Sequence, residues 1–199
     1  MYVVGLTGGI GSGKSTIAKF FMKKNIALVD ADQLARQVVS QGTPALSKIT
    51  DKFGTRILNE DGLLDRKILR EIVFNDKTAK IWLEELLHPL IKEALVKFID
   101  AADSKYLILE SPLLLETNQH NLVDRILVVD VSETTQLKRT FKRDGGSKST
   151  IKAIMNSQIS RTDRLNKADD IVNNERPVDS IEKDLESLHK KYISLAQKI

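Results

Sequence analysis

Gly8-Gly9-Ile10-Gly11-Ser12-Gly13-Lys14-Ser15 fills the pattern G-x-x-x-x-G-K-S/T without a mismatch. Each residue type in it has a physical job. Glycines let the backbone take positive φ and approach a phosphate closely. The turn then presents several N–H groups, and a helix opening near Lys14 adds its positive end. Lys14 supplies a point charge for the β- and γ-phosphates of a nucleoside triphosphate, and the Ser15 hydroxyl is suited to ligate Mg²⁺. The bland alternative is a glycine-rich turn with an accidental lysine. The setting argues against it. Tyr2 to Thr7 is an apolar run of strand length, and Lys14 to Lys24 carries Ile17, Phe20 and Phe21 on one helical face.

Outward from that turn, strands and helices alternate. Ile26 to Asp30 reads as a second strand, and a helix starts near Asp32. From Pro44 to Ala102 the pattern is wholly helical. Pro44 suits a first helical turn, Asp61-Gly62 marks a turn, and Asp65 or Asn75 is a candidate cap. His88-Pro89 is expected to end one helix and start the next. Tyr106 to Leu109, Ile126 to Val131 and Asp170 to Val172 read as strands. Helices are expected over Glu133 to Arg143 and Ser149 to Ser160, separated by the flexible Asp144-Gly145-Gly146-Ser147. In the last helix Ile181, Leu185, Leu188, Tyr192, Leu195 and Ile199 recur at steps of four and three. This alternation argues for an α/β fold with a parallel sheet covered on both faces. The helical stretch between the second and third strands is too long for a simple crossover and reads as an inserted subdomain.

Composition narrows the function classes. A chain of 199 residues fits one compact domain with insertions. With no cysteine there are no disulfides, no thiolate catalysis and no zinc–cysteine sites, which fits a reducing compartment. His88, His120 and His189 lie far apart and show no ligand spacing. Tyr2 to Leu6 is too short for a signal peptide and lacks a basic leader, and the longest apolar runs are strand-sized. A cytoplasmic location with no membrane partner is therefore expected. Between Lys138 and Lys167 nine basic residues face two acidic ones, Asp144 and Asp163, although the whole chain is only +4. Such a cluster suits a compact polyanion such as a nucleotide. Nucleic acid is the rival, but the segment offers only Phe141 for stacking, so no nucleic-acid partner is expected.

Asp30-Ala31-Asp32 closes the second strand, so both carboxylates belong at the sheet edge where ligands of open α/β sheets bind. One of them is as well explained as a helix cap. An aspartate here is also suited to orient an attacking hydroxyl. Glu110 and Asp130 are further strand-end acids. Two short matches point elsewhere: Asn166-Lys167-Ala168-Asp169 fits the N-K-x-D guanine signature of GTPases, and Asp51-Lys52-Phe53-Gly54 fits their D-x-x-G. Neither follows an apolar strand, as those motifs require, and both read as coincidences.

Beyond the glycine-rich turn, a series of segments resembles the dephospho-CoA kinase family. They are Val29-Asp30-Ala31-Asp32, Ala35-Arg36-Gln37-Val38-Val39, Gly62-Leu63-Leu64-Asp65-Arg66, Leu87-His88-Pro89-Leu90-Ile91, Pro112-Leu113-Leu114-Leu115-Glu116, Val128-Val129-Asp130-Val131, Gln136-Leu137-Lys138-Arg139 and Ala168-Asp169-Asp170-Ile171-Val172-Asn173-Asn174. The likeness covers nearly the whole chain. It implies a three-layer P-loop NTPase fold with a five-stranded parallel sheet. The core would comprise 1–32, 103–140 and 165–199, with a helical CoA-binding insert over 33–102 and a small lid over 141–164. The reaction it implies is transfer of the γ-phosphoryl of ATP to the ribose 3′-hydroxyl of dephospho-CoA, with Mg²⁺ accompanying the nucleotide and the protein a monomer or weak homo-oligomer.

The same resemblance implies residue roles. Asp32 would orient the 3′-hydroxyl, Lys14 would hold the phosphates, and Arg139 would reach the transferred group from the lid side. Gly11, Ser12, Gly13, Lys14, Ser15 and Thr16 would bind ATP, with Asn173 and Asn174 beneath the adenine. Arg66, His88 and Glu116 match motifs near the acceptor pocket. Glu175-Arg176-Pro177 departs from the family pattern after the two asparagines, where many relatives carry glycine. Alternatives are a P-loop kinase for another nucleoside, nucleotide or small metabolite, and a nucleotide-dependent switch. Acceptor tests separate the first, and turnover without a partner separates the second.

Overall fold

Strand β1 (Val3–Thr7) is buried at every position, as befits the centre of a parallel sheet covered on both faces. It pairs with β3 (Leu107–Glu110) on one side and β4 (Arg125–Asp130) on the other. β2 (Ala27–Asp30) and β5 (Asp170–Asn173) form the edges, giving the order β2-β3-β1-β4-β5 with every pairing parallel. The register sets Asp30 opposite Glu110 and Asp130 opposite Asn173. One sheet edge therefore gathers Asp30, Glu110, Asp130 and Asn173 beside the turn that leaves β1. The computed structural model describes residues 1–198. They fall into two compact units, one formed by Met1–Asp30 with residues 99–198, the other by Ala31–Phe98. Ile199, expected in the last helix, lies outside the described residues.

In the first unit, α1 (Lys14–Lys23) and α9 (Val178–Ala196) bring Ile17, Phe21, Leu185 and Tyr192 into one apolar cluster with Val4, Leu6, Ile108, Leu127 and Val129. Those sheet residues alternate along their strands, so they share a face. Phe21, Tyr106 and Tyr192 meet edge to face or tilted, with Tyr106 and Tyr192 centroids 5.5 Å apart, a geometry favoured by the ring quadrupole. At Gly5 a Cβ would come within 2.5 Å of Leu114, so close packing explains a glycine inside a strand.

Three helices follow β4: α6 (Glu133–Asp144), α7 (Lys148–Ser157) and α8 (Arg161–Asn166). Ser132, Ser147 and Ser160 cap them through their hydroxyls. The periodicity had predicted helix from Ser149 to Ser160. The chain leaves the helix after Ser157 because tertiary bonds compete: Ile159 N–H donates to Glu116 (3.0 Å) and Arg161 is drawn to Asp130. The two GTPase-like tetrapeptides are structural. Asp51 to Gly54 ends a helix. Asn166 ends α8, while the Asp169 carboxylate accepts from Ile126 N–H at 2.8 Å at the start of β4.

The second unit contains α2 (Ala31–Val38), α3 (Pro44–Phe53), α4 (Arg66–Asn75) and most of α5 (Lys77–Ala101). Pro44 opens α3 behind a Thr43 cap, and Asp65 caps α4. Asn75 is the last residue of α4 rather than a cap. The next residue, Asp76, accepts from the N–H groups of Thr78 and Ala79. The expected break at His88-Pro89 is absent: α5 runs through Pro89. A proline inside a helix costs about 3 kcal/mol. Leu86, Leu87 and Leu90 offset it by packing around the cluster of Val39, Ala45, Ile49, Ile57 and Leu69. Among the described residues, no helix is long and apolar enough to cross a membrane.

Asp170, at the start of β5, accepts from Arg125 (2.5 Å), Lys191 (2.6 Å) and Tyr192 (3.0 Å). Burial pushes this carboxyl up, but the three hydrogen bonds and the Arg125 charge outweigh it and hold it below the usual range. A depressed folded value adds stability above the unfolded value, and this is lost as pH falls through the folded one. Asp170→Asn is therefore expected to lose about 2 kcal/mol of stability at neutral pH. In urea titrations the gap from wild type should narrow as pH falls through the depressed folded value, where the wild-type carboxylate takes up its proton.

Candidate functional site

The turn between β1 and α1 is held from three sides. Gly11 (φ 71°) and Gly13 (φ 90°) adopt left-handed backbone, which glycine alone takes without strain. Room is as tight as the dihedrals. A Cβ on Gly11 would lie 2.7 Å from the Thr140 hydroxyl and 2.8 Å from the Gln136 carbonyl, both on α6. A Cβ on Gly13 would collide with the Asn174 side-chain amide. Glycines thus serve two purposes here, conformation and proximity.

Ser12 is fully buried, and its carbonyl accepts from Asn174 Nδ2 (2.7 Å) and Arg139 (3.4 Å). Arg139 also donates to the Asn174 carbonyl at 2.9 Å, and Asn174 N–H donates to the Asp130 carbonyl at 2.9 Å. The loop, α6 and the segment after β5 are therefore one hydrogen-bonded unit. Ile10 N–H, on the opposite side of the turn, donates to Gln158 Oε1 at 2.9 Å.

Helix α1 begins without a capping side chain and without an acidic residue in its first turn. Its positive end is left for an external anion. Lys14 folds back over the turn, its ammonium donating to the Gly8 carbonyl at 2.8 Å. Ser15 and Thr16 follow in the first turn and are exposed. Among the described residues no group of three or more His, Cys, Asp or Glu could hold a metal ion. A Mg²⁺ carried by phosphates needs only one or two protein oxygens, and the exposed Ser15 hydroxyl fits that demand.

A cleft of about 690 Å³ opens beside α6, lined by Gln136, Leu137, Met155, Gln158, Arg161 and Arg164. Arg161 forms a bidentate pair with Asp130 at 2.8 and 2.6 Å. Arg164 is only 6% exposed and donates to the Ile159 carbonyl at 2.8 Å. Burial lowers its pKa, against the pull of Glu116 and Asp130. The basic stretch recognised in the sequence thus contains two residues locked into the fold, and neither Arg164 nor Gln158 had been singled out. Their signal was not readable, since it lies in interactions with Ile10, Glu116 and Asp130, far away in the chain.

Of the expected site residues, the structure brings Gly11, Ser12, Gly13, Lys14, Arg139 and Asn174 together. Asn173 lies beside them, accepting from Glu175 N–H at 2.9 Å. The departure at Glu175 has a local explanation: its carboxylate accepts from Ser132 (2.7 Å), and bonds from Thr135 and Ser132 hold its pKa below the usual range. Glu116 pins Ile159 N–H. In the second unit, Asp32 sits in the first turn of α2, Arg66 opens α4, and His88 lies within α5.

A family model described as dephospho-CoA kinase matches residues 2–180. A dephospho-CoA kinase of Idiomarina loihiensis is 49% identical over 193 residues, spanning 97% of this chain and 96% of that one. The solved dephospho-CoA kinase from Campylobacter jejuni is 29% identical with a TM-score of 0.71, over 96% of this chain and 97% of that one. A Thermus thermophilus crystal structure, 24% identical, shares the fold with a TM-score of 0.83 over 96% and 97% of the two chains.

Gly13→Ala places a methyl group where the Asn174 amide must lie, at a φ that alanine resists. Calorimetric titration with ATP should show affinity falling by about a hundredfold or more, the equivalent of roughly 3 kcal/mol. Far-UV circular dichroism should stay that of the wild type.

Proposed function

The chain belongs to the dephospho-CoA kinase family, and from that premise we propose how its residues divide the work of the reaction. The reaction is transfer of the γ-phosphoryl group of ATP to the ribose 3′-hydroxyl of dephospho-CoA, the last step of coenzyme A synthesis. The acceptor oxygen forms a bond to the γ-phosphorus as the bond to the bridging oxygen breaks. ADP departs, and the hydroxyl proton leaves through a carboxylate. Little covalent chemistry falls to the protein, so its contribution is alignment and compensating charge.

The uncapped start of α1 beneath a hydrogen-bonded glycine turn carries this reading. The turn of Gly11, Ser12, Gly13, Lys14, Ser15 and Thr16 receives the phosphates, the Ser12 and Thr16 amides bracing it through the Gly9 and Gly13 carbonyls. The Lys14 ammonium exchanges the Gly8 carbonyl for phosphate oxygen. Ser15 would supply one oxygen to Mg²⁺, which when bound would neutralise phosphate charge. Arg139, already on the Ser12 and Asn174 carbonyls, contributes positive charge on the α6 side. Asn173 and Asn174 form the floor for the base. Asp32 orients the acceptor hydroxyl and takes its proton, while Arg66, His88 and Glu116 belong to acceptor recognition. Residues 33–102 act as the acceptor-binding insert and 141–164 as a lid hinged at Gly145-Gly146, where both glycines adopt positive φ. The enzyme works in the cytoplasm as a monomer or weak homo-oligomer.

Incubation with MgATP and dephospho-CoA should yield coenzyme A, one phosphoryl group heavier by mass spectrometry. Adenosine and AMP serve as competing acceptors, and preferential phosphorylation of either would overturn the acceptor assignment. Asp32→Asn keeps the shape and loses the base, and should lower kcat by about a hundredfold or more while leaving the KM for ATP within about twofold. Unchanged turnover would remove Asp32 from the chemistry.

A further inference from the structure

Three arginines of the second unit come together, and more positive than negative charge gathers where they meet. Arg66 is the first residue of α4, and Arg70 lies one turn further along it. Arg36 belongs to the last turn of α2. The ends of the two helices are packed together: Val38 and Val39 share one apolar cluster with Leu64, Ile68 and Leu69. Gln41 reaches the Asp61 carbonyl in the turn before α4 (3.4 Å). Among the described residues no carboxylate forms an ion pair with Arg36, Arg66 or Arg70. All three side chains reach solvent.

That arrangement is unfavourable in the protein by itself. The first turn of α4 contains no acidic residue, and Arg66 and Lys67 place positive charge at the positive end of the helix, where an anion is preferred. The Asp65 cap satisfies the N–H groups of Lys67 and Ile68, but its single charge is outnumbered. Burial, Arg36 and Arg70 all lower the pKa of Arg66, in that order, so the three guanidinium groups repel one another. Like charges held together with no ion pair among them favour a bound anion.

We infer that Arg36, Arg66 and Arg70 form the subsite for the diphosphate bridge of the acceptor. The inference rests on the reaction assigned above, whose acceptor carries two phosphates joined to the 5′ position of its ribose. Spacing on α2 supports this choice of anion. Asp32 and Arg36 are four residues apart and lie on one helix face, with about 5–6 Å between their Cβ atoms. A ribose whose 3′-hydroxyl addresses Asp32 therefore presents its 5′ substituent one helical turn away, at Arg36. Arg66 and Arg70 make the same step on α4 and provide the planar donor forks that suit phosphate oxygens.

The test compares wild type with Arg36→Gln, Arg66→Gln and Arg70→Gln in steady-state kinetics and thermal melting. Each variant should raise the KM for dephospho-CoA by about tenfold or more, leave the KM for ATP within about twofold, and show a weaker dependence of the acceptor KM on salt. Removing a charge from a repelling cluster should leave the melting temperature unchanged or raise it. Lysine at the same positions should restore only part of the loss, since a point charge lacks the fork. An unchanged acceptor KM in all three variants overturns the subsite. So does a rise in KM accompanied by a lower melting temperature and a matching shift for ATP, which marks a structural role. Wild-type turnover is measured first: its absence overturns the assigned reaction and the subsite with it, whereas normal wild-type turnover with unaltered variants overturns the subsite alone.

Discussion

The first unit depends on a shortage of space around the turn that leaves β1. Gly11 and Gly13 pass so close to α6 and Asn174, in left-handed backbone, that a side chain at either is strained, and a side chain at Gly9 would have to displace Gln136. Proximity allows the Ser12 carbonyl to take two donors from distant segments and Ile10 N–H to reach Gln158. A wider turn would lose these bonds, and the row of amides at the start of α1 would lose its fixed aim. Preorganisation of this kind matters because phosphoryl transfer gains most from dipoles that need not reorient during reaction.

The sheet explains why such a turn can be held rigidly. β1 has neighbours on both sides, and its residues are buried throughout. The strand therefore cannot shift to relieve crowding at its end. Asp130, at the end of neighbouring β4, works in two directions: its carboxylate takes Arg161 and its backbone carbonyl takes Asn174. One strand terminus thereby ties both the post-α7 segment and the post-β5 segment to the phosphate turn.

Much of this was legible in the sequence, and the reasons are particular. The apolar run of β1, the glycines and Lys14 form a local pattern whose geometry follows from residue type alone. The last helix was readable because its apolar spacing is regular, and α3 because Pro44 opens it. Other features depended on partners that no local window contains. Pro89 stays inside α5 because leucines on both sides of it find a core to pack against. The helix predicted to run to Ser160 is cut short by Glu116 and Asp130, which lie far away in the chain. Arg139 was identified only through family likeness, and its attachment to Ser12 and Asn174 is a matter of tertiary structure. The arginine cluster escaped notice because Arg36 and Arg66 are thirty positions apart, and ordinary surface arginines look the same in one dimension.

Lys14 carries a thermodynamic consequence of its own. A long amine side chain normally gives up as much as 2 kcal/mol of rotamer freedom when it is immobilised. Here the ammonium is already fastened to the Gly8 carbonyl, with the Gly9 carbonyl at 3.5 Å, so most of that loss is incurred during folding rather than on meeting a nucleotide. Recognition then becomes an exchange of one oxygen partner for another, more highly charged one. Such an exchange is enthalpic in character, and it favours ligands with doubly charged terminal groups over those offering only a neutral acceptor.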